Sequence, residues 1–163
     1  MSFKVGDRVV HPRYGLGKVT QLAIKQFVEG EKRLFYEIAF PDSILWVPFN
    51  LSTSGIRKVT GKGEIMKCRK LLETPAAPLN GDLRLRQKDL SNHLKTGTFT
   101  AQCEVVRDLT EQNRRKPLSS ALTVFFHATQ DVLYQEWAVV EGVTIEEAAR
   151  EINALLKKRK ASS

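Results

Sequence analysis

Three histidines and two cysteines are the side chains best suited to proton transfer, nucleophilic attack or metal binding in this sequence. His11, His93 and His127 lie far apart, with no acid, thiol or hydroxyl at a spacing typical of a catalytic set. Cys68 and Cys103 fall within segments of helical periodicity, so neither a disulfide framework nor a zinc cluster is indicated. We therefore expect no enzyme activity, no metal and no cofactor.

Cationic side chains are the other candidates for chemistry, because each can neutralise a phosphate or an acidic surface. The chain has 26 Lys and Arg against 18 Asp and Glu, a formal charge of +8. Residues 1–60 carry +4, residues 61–120 carry +5 and residues 121–163 carry −1. Apart from a short basic tail at 157–163, the positive charge therefore belongs to segments expected to fold.

Residues 1–60 have the pattern of short β-strands separated by turns. Leu34, Tyr36, Ile38 and Phe40 alternate with other residues, which predicts a strand with one buried face. The Tyr14–Gly17 segment lacks the third glycine and the helix of a phosphate-binding loop, so we interpret it as a turn. Five strands are predicted, at residues 8–11, 18–28, 33–40, 44–47 and 56–59. So small a sheet avoids open edges by closing, which predicts a Tudor-like or SH3-like barrel.

From residue 61 the apolar period changes to that of α-helices. Two prolines and an Asn-Gly pair predict a loop at 74–82 after a first short helix. Later helix starts are predicted at Asp82, at Thr98 or Thr100, at Pro117 with Ser119, and at the capping box Thr144 to Glu147. The fold class is thus α+β, with a five-stranded barrel at 1–60 and a bundle of about five helices at 61–163.

The balance of apolar and charged residues predicts a folded cytosolic protein. Hydrophobic residues make up 42% and charged residues 27%, far from the composition of disordered chains. No apolar run approaches the ~18 to 20 residues that span a bilayer. Asp7 interrupts the beginning of the chain before a signal region could form.

Two runs of sequence closely resemble the CarD/CdnL family of bacterial transcription regulators. The first is FKVGDRVVHPRYGLG at residues 3–17, and the second is EVVRDL at 104–109, preceded by LKTG at 94–97. The resemblance extends over residues 1–156. It implies a Tudor-like domain that adds a strand to a lobe of the RNA polymerase β subunit. It also implies a helical domain that contacts promoter DNA at the upstream edge of the transcription bubble, in the bacterial cytoplasm and close to the nucleoid.

The resemblance places the polymerase contact on one strand and on one lysine of the facing strand. These residues are Lys25, Ile44, Leu45, Trp46, Val47 and Pro48. Pairing of an edge strand with a partner strand would supply the backbone hydrogen bonds. Relatives commonly carry a basic residue at the position of Trp46, so aromatic packing is expected here in place of a charge pair. The alternative is that Trp46 belongs to the barrel core.

On the DNA side, many relatives carry a tryptophan wedge near the start of the helix that precedes the Lys-Thr-Gly turn. Counting back from Gly97, Leu83 occupies that position. Leu83 shares a helical face with Leu90 and Leu94, so the alternative is that Leu83 belongs to the core and that Leu85 is the exposed apolar residue. Leu83 is slightly preferred as the wedge, and the alternatives are Leu85 or neither residue.

The phosphate contacts are expected from three cations on the same helix, Arg84, Arg86 and Lys88. Arg114-Arg115-Lys116 is a secondary candidate, or simply a solvated loop. Residues 123–128, where relatives often carry basic side chains, read TVFFHA. This departure indicates DNA binding that is weaker or differently organised.

The sequence is consistent with three functions. The leading one is a monomeric regulator that binds the polymerase β subunit and contacts the backbone and minor groove of promoter DNA without reading its sequence, so stabilising the open complex. The second keeps the polymerase contact but has the helices dock another protein. The third is a general nucleic-acid binder that uses the barrel.

Overall fold

The computed structural model describes residues 3–49 and 55–158, except for the side chains at positions 27 and 28. Five strands are followed by five helices, which confirms the α+β class. The strands are β1 (Arg8–His11), β2 (Gly15–Val28), β3 (Glu31–Phe40), β4 (Ser43–Pro48) and β5 (Arg57–Lys58). The helices are α1 (Lys62–Leu72), α2 (Leu83–Leu94), α3 (Phe99–Arg115), α4 (Ser120–Glu141) and α5 (Ile145–Lys158).

The five strands form one antiparallel sheet in the order β4-β3-β2-β1-β5. The end strands β4 and β5 do not pair with each other within the described residues, so the sheet is not the closed barrel that the sequence predicted. β5 is only two residues long and offers too short an edge to complete the closure. One long side of β4 is therefore left without a partner strand in the described part of the chain.

Gly15 and Gly17 begin β2 instead of forming the predicted turn. The turn comprises residues 12–14, and His11 pairs with Gly15 across it. Gly15 has a φ of +79°, a conformation that glycine adopts without strain. A Cβ atom at Gly17 would lie 2.6 Å from the Phe40 ring. Turn geometry and close packing therefore account for these glycines.

The predicted helix starts are confirmed by the hydrogen bonds of their capping side chains. Asp82 accepts a bond from the Arg84 amide, Thr98 from that of Ala101, and Ser119 from that of Leu122. Thr144 and Glu147 form the predicted capping box, each side chain accepting from the other's backbone N–H at 3.4 and 3.0 Å. Each bond satisfies an amide that the helix itself leaves without an acceptor.

Buried hydrophobic side chains form two clusters, one in the sheet and one among the helices. The sheet cluster consists of Phe3, Val9, Val19, Tyr36, Ile38, Phe40, Val47 and Ile56. The helical cluster includes Trp137, Leu133, Leu109 and Ile65, together with Cys68 and Cys103. Both cysteines are free thiols buried in this core. The helices thus have a core of their own, separate from that of the sheet.

A buried ion pair joins the sheet to the helices. Arg57 of β5 donates through Nη1 and Nη2 to the two carboxylate oxygens of Glu136 on α4, at 2.6 and 2.7 Å. The Glu136 side chain is fully buried, and it also accepts a bond from the Thr60 amide at 2.8 Å. Gln102 of α3 accepts a longer bond from Arg57, at 3.4 Å. Since two-point pairing fixes both distance and orientation, this contact sets how β5 sits on α4.

Replacing Arg57 with alanine is expected to destabilise the protein by about 3–5 kcal/mol, because the Glu136 carboxylate would be left buried without its cation. Urea denaturation measures this free energy. The control is Arg33→Ala, whose pair with Glu31 is exposed and should contribute less than about 1 kcal/mol. Similar small losses for both variants would contradict a structural role for the buried pair.

Candidate functional site

The first candidate surface is the outer edge of β4. This strand lies at one end of the sheet and pairs with β3 on its other side. Ile44 is 56% exposed and Trp46 is 40% exposed, while Val47 is buried and Leu45 packs against the sheet core. Of the residues predicted to contact polymerase, Leu45 and Val47 can therefore offer mainly their backbone.

Trp46 lies outside the core, within a cluster of polar side chains on the exposed face of the sheet. The Lys25 ammonium lies 5.1 Å from the centre of the indole ring, within the range of a cation–π contact. Glu37 of β3 is the register partner of Trp46, and the Thr20 hydroxyl donates to its carboxylate at 2.8 Å. We name Thr20, Lys25, Glu37 and Trp46 the tryptophan cluster. The predicted pair of Lys25 and Trp46 is thus brought together, and the alternative of a core tryptophan is wrong.

Glu37 is held in its charged form. The hydrogen bond from Thr20 lowers the pKa of this carboxyl below its ordinary value, and bonds from Gln21 and Trp46 and the charge of Lys25 act in the same direction. The cluster therefore presents a carboxylate and an ammonium that both contact one indole. Sequence reasoning missed Glu37, although a signal existed: a two-residue turn at 41–42 fixes the register that places Glu37 opposite Trp46.

The second candidate surface is the N-terminal part of α2. Leu83 is 68% exposed and Leu85 is 44% exposed, whereas Leu90 on the same helix is buried. The shared face with Leu90 thus does not place Leu83 in the core, because the first turn of α2 is not covered as the later turns are. Both leucines remain available as apolar contacts.

Three cations surround these leucines. Arg84 and Lys88 are exposed and form no ion pair with any residue that the structure describes. Arg86 donates from Nε to the Asn80 carbonyl oxygen at 2.9 Å, which holds its side chain against the preceding loop. The first turn of α2 has no acidic residue beyond the Asp82 cap. These cations therefore add to the positive end of the helix dipole, an arrangement that favours a bound anion.

Arg114 and Arg115, the secondary candidates, are already occupied. Both donate to the carboxylate of Glu111, one turn earlier on α3, and Glu111 is itself buried. The bonds and charge of Glu111 raise the pKa of Arg114. Because their charge is partly neutralised, these arginines are weaker candidates for phosphate contacts than Arg84 and Lys88.

Residues suited to catalysis do not converge in the described part of the chain. Within residues 3–49 and 55–158, no group of three or more His, Cys, Asp or Glu side chains could hold a metal ion. His11 accepts hydrogen bonds at Nδ1 from the amides of Arg13 and Tyr14, so it stabilises the turn after β1. His93 lies 3.4 Å from Glu104 on the neighbouring helix.

No described helix is both long and apolar enough to cross a membrane.

Comparison with known protein families matches the sheet and the helices to two CarD domains. Residues 3–60 match the CarD-like/TRCF RID domain, and residues 67–153 match the CarD C-terminal domain. A protein of Bacillus subtilis (strain 168) named "Putative transcription factor YdeB" is 28% identical over 145 residues. The aligned region covers 87% of this chain and 94% of that relative.

The charge arrangement on α2 predicts that Arg84→Glu raises stability by about 0.3–1 kcal/mol, because an anion replaces a cation at the positive end of the helix. Urea denaturation at low salt measures the change. The matched control is Lys157→Glu in the last turn of α5, where the same charge reversal should lower stability by a similar amount. A loss of stability in Arg84→Glu would contradict this reading of the helix.

Proposed function

The chain belongs to the CarD family of transcription factors, and from this membership we propose that it binds the RNA polymerase β subunit through β4 while its helices contact promoter DNA. Its first domain is of the RNA polymerase interaction type, and the family is one of transcription factors rather than enzymes. The observation that carries the proposal is the open edge of β4 with the exposed Trp46 beside it. The protein would act in the cytoplasm, where polymerase and the nucleoid lie.

The proposed polymerase contact is addition of a strand to the sheet. The outer edge of β4 offers backbone N–H and C=O groups, and a strand of the β subunit would pair with them. Ile44 and Trp46 project from the exposed face next to that edge. Trp46 is the proposed anchor, since tryptophan is enriched among the residues that dominate binding energy. Glu37 and Lys25, which both contact Trp46, would select a partner with complementary charge.

The proposed DNA contact lies at the start of α2. Arg84 and Lys88 would neutralise phosphates without reading sequence, and Arg86 would assist from its place against Asn80. Leu83, the more exposed leucine, would press into the minor groove at the edge of unwound DNA. Contacts made only to opened promoter DNA would stabilise the open complex.

One observation favours the alternative of a polymerase-bound adaptor that docks another protein. Val124 on α4 is 71% exposed, in a segment where DNA-contacting relatives are expected to carry cations. An adaptor of this kind would show no response of the open complex to changes at Leu83 or Arg84. The proposed DNA contact and the adaptor are thus separated by a single kinetic experiment.

Trp46→Ala is expected to weaken binding to the β lobe by about 2 kcal/mol or more, roughly thirtyfold, because an interface anchor is lost. Isothermal titration calorimetry with the purified lobe measures the affinity. Ile145→Ala, which truncates an exposed apolar residue at the start of α5, serves as the control and should bind as the unmodified protein does. Unchanged affinity in Trp46→Ala would show that this strand is not the polymerase contact.

Loss of Arg84 and Lys88 is expected to shorten the lifetime of the promoter open complex and to reduce its salt dependence. Each lost phosphate contact should lower the slope of log affinity against log salt by about 0.9. The measurement is open-complex decay after competitor addition, over a range of salt concentrations. Lys157→Ala with Lys158→Ala, which removes two exposed cations at the end of α5, is the control and should leave the slope nearly unchanged.

The wedge position can be tested by adding aromatic surface. If Leu83 is the wedge, Leu83→Trp should lengthen the open-complex lifetime and Leu85→Trp should not, because an indole offers more stacking surface than an isobutyl group. The reverse result would assign the role to Leu85. No response to either substitution, together with no response to loss of Arg84 and Lys88, would favour the adaptor.

A further inference from the structure

A groove of about 580 Å³ lies where the β1–β2 turn, α2 and α4 meet. Its volume falls within the range of about 300–1,000 Å³ that is usual for binding sites of small molecules. Leu94 of α2 and Val124 and Phe125 of α4 supply apolar walls. Val124 remains 71% exposed, so nothing in the described chain covers this wall.

The polar lining of the groove is basic. Arg13 from the turn and Lys95 at the end of α2 are both lining residues, and the lining contains no Asp or Glu. Neither cation forms an ion pair with a residue of the described part of the chain. The groove therefore favours an anionic ligand, which would supply the missing counter-charge.

Two uncharged polar side chains complete the site. Gln87 and Ser91 of α2 line the groove, and neither side chain has a hydrogen-bond partner among the residues that the structure describes. An amide both donates and accepts hydrogen bonds, as does a hydroxyl. Gln87 and Ser91 could therefore hydrogen-bond to the edge of a nucleobase. The aromatic wall suits the flat face of the base, and the two cations suit its phosphate.

The groove is continuous with the proposed DNA surface. Leu83, Gln87 and Ser91 are spaced four residues apart, so they follow one another along a single face of α2. A strand that leaves the duplex at Leu83 would therefore meet the groove within about one helical turn, roughly 5 Å along the axis.

We propose that this groove holds one unpaired nucleotide of single-stranded promoter DNA. The base lies against Val124 and Phe125, and its edge is met by Gln87 or Ser91. The phosphate lies between Arg13 and Lys95. The proposal rests on the proposed function, because it takes the strand from the DNA contacted by α2.

The first test uses nuclear magnetic resonance of the full chain with a short thymidine oligonucleotide. The single strand should shift the signals of the Gln87 side-chain amide and the Val124 methyl groups. A duplex of matched length should instead affect Arg84 and Lys88. If the oligonucleotide shifts other signals but leaves those of Gln87 and Val124 unchanged, the proposal is overturned.

The second test fills the groove. Ala128 is an exposed lining residue, and Ala128→Trp should weaken binding of the oligonucleotide about tenfold by occupying the place of the base. Ala154→Trp, the same change at an exposed position of α5 outside the groove lining, should bind as the unmodified protein does. Thermal melting checks that both variants fold, and the shift mapping needs no variant. Equal affinity of Ala128→Trp and the unmodified protein would overturn the proposal.

Two further ligands test whether the groove prefers single-stranded DNA over other anionic molecules. Thymidine monophosphate binding as tightly as the oligonucleotide would overturn the assignment to a DNA strand in favour of a free nucleotide. An acidic peptide that shifts the groove signals where the oligonucleotide does not would overturn it in favour of a protein partner.

If the groove tests fail while loss of Arg84 and Lys88 still shortens open-complex lifetime, the groove inference alone is wrong. If both fail, the proposed DNA contact of the helices is wrong.

Discussion

The buried pair between Arg57 and Glu136 is the constraint on which the two surfaces depend. The two terminal nitrogens of the guanidinium donate to both oxygens of a carboxylate that has no exposure to solvent, so β5 and α4 are held in one relative orientation. β5 is only two residues long, and its pairing with β1 alone would be a weak connection to the sheet. The pair acts together with a second connection between the sheet and α4, in which the Leu16 amide of β2 donates to the Gln135 side chain at 3.4 Å. A protein proposed to hold polymerase with one part and DNA with the other requires such a fixed distance.

The proposed DNA contact and the stability of the helix favour opposite charges at the start of α2. Cations at a helix N-terminus oppose the helix dipole, and exposed leucines contribute little to folding. The Asp82 cap and the bond from Arg86 to the Asn80 carbonyl hold the turn in place despite this. Elsewhere the same kind of residue is neutralised, as Arg114 and Arg115 are by Glu111. This contrast is the reason that Arg84 and Lys88, and not Arg114 and Arg115, are the proposed phosphate contacts.

The features predictable from the sequence are those set by neighbours in the chain. Alternation in β3 predicted the buried face formed by Tyr36, Ile38 and Phe40, but it was wrong for Leu34, which is 39% exposed. The helix starts predicted at Asp82, Thr98, Ser119 and Thr144 are confirmed by their hydrogen bonds. Contacts between distant residues could not be predicted in this way. Arg57 and Glu136 are 79 positions apart, and no local pattern marks either as a partner. The alternative of a core position for Leu83 is wrong for the same reason, since periodicity shows which residues share a face but not how far along the helix the neighbouring helices reach.

Photo-cross-linking from two positions in a polymerase–promoter open complex tests most directly whether one rigid molecule bridges polymerase and DNA. A photoreactive amino acid at position 46 should link to the β subunit, and one at position 83 should link to promoter DNA at the upstream edge of the bubble. Cross-links from position 83 only to protein would contradict the DNA contact. Absence of a link to the β subunit from position 46 would contradict the bridge itself.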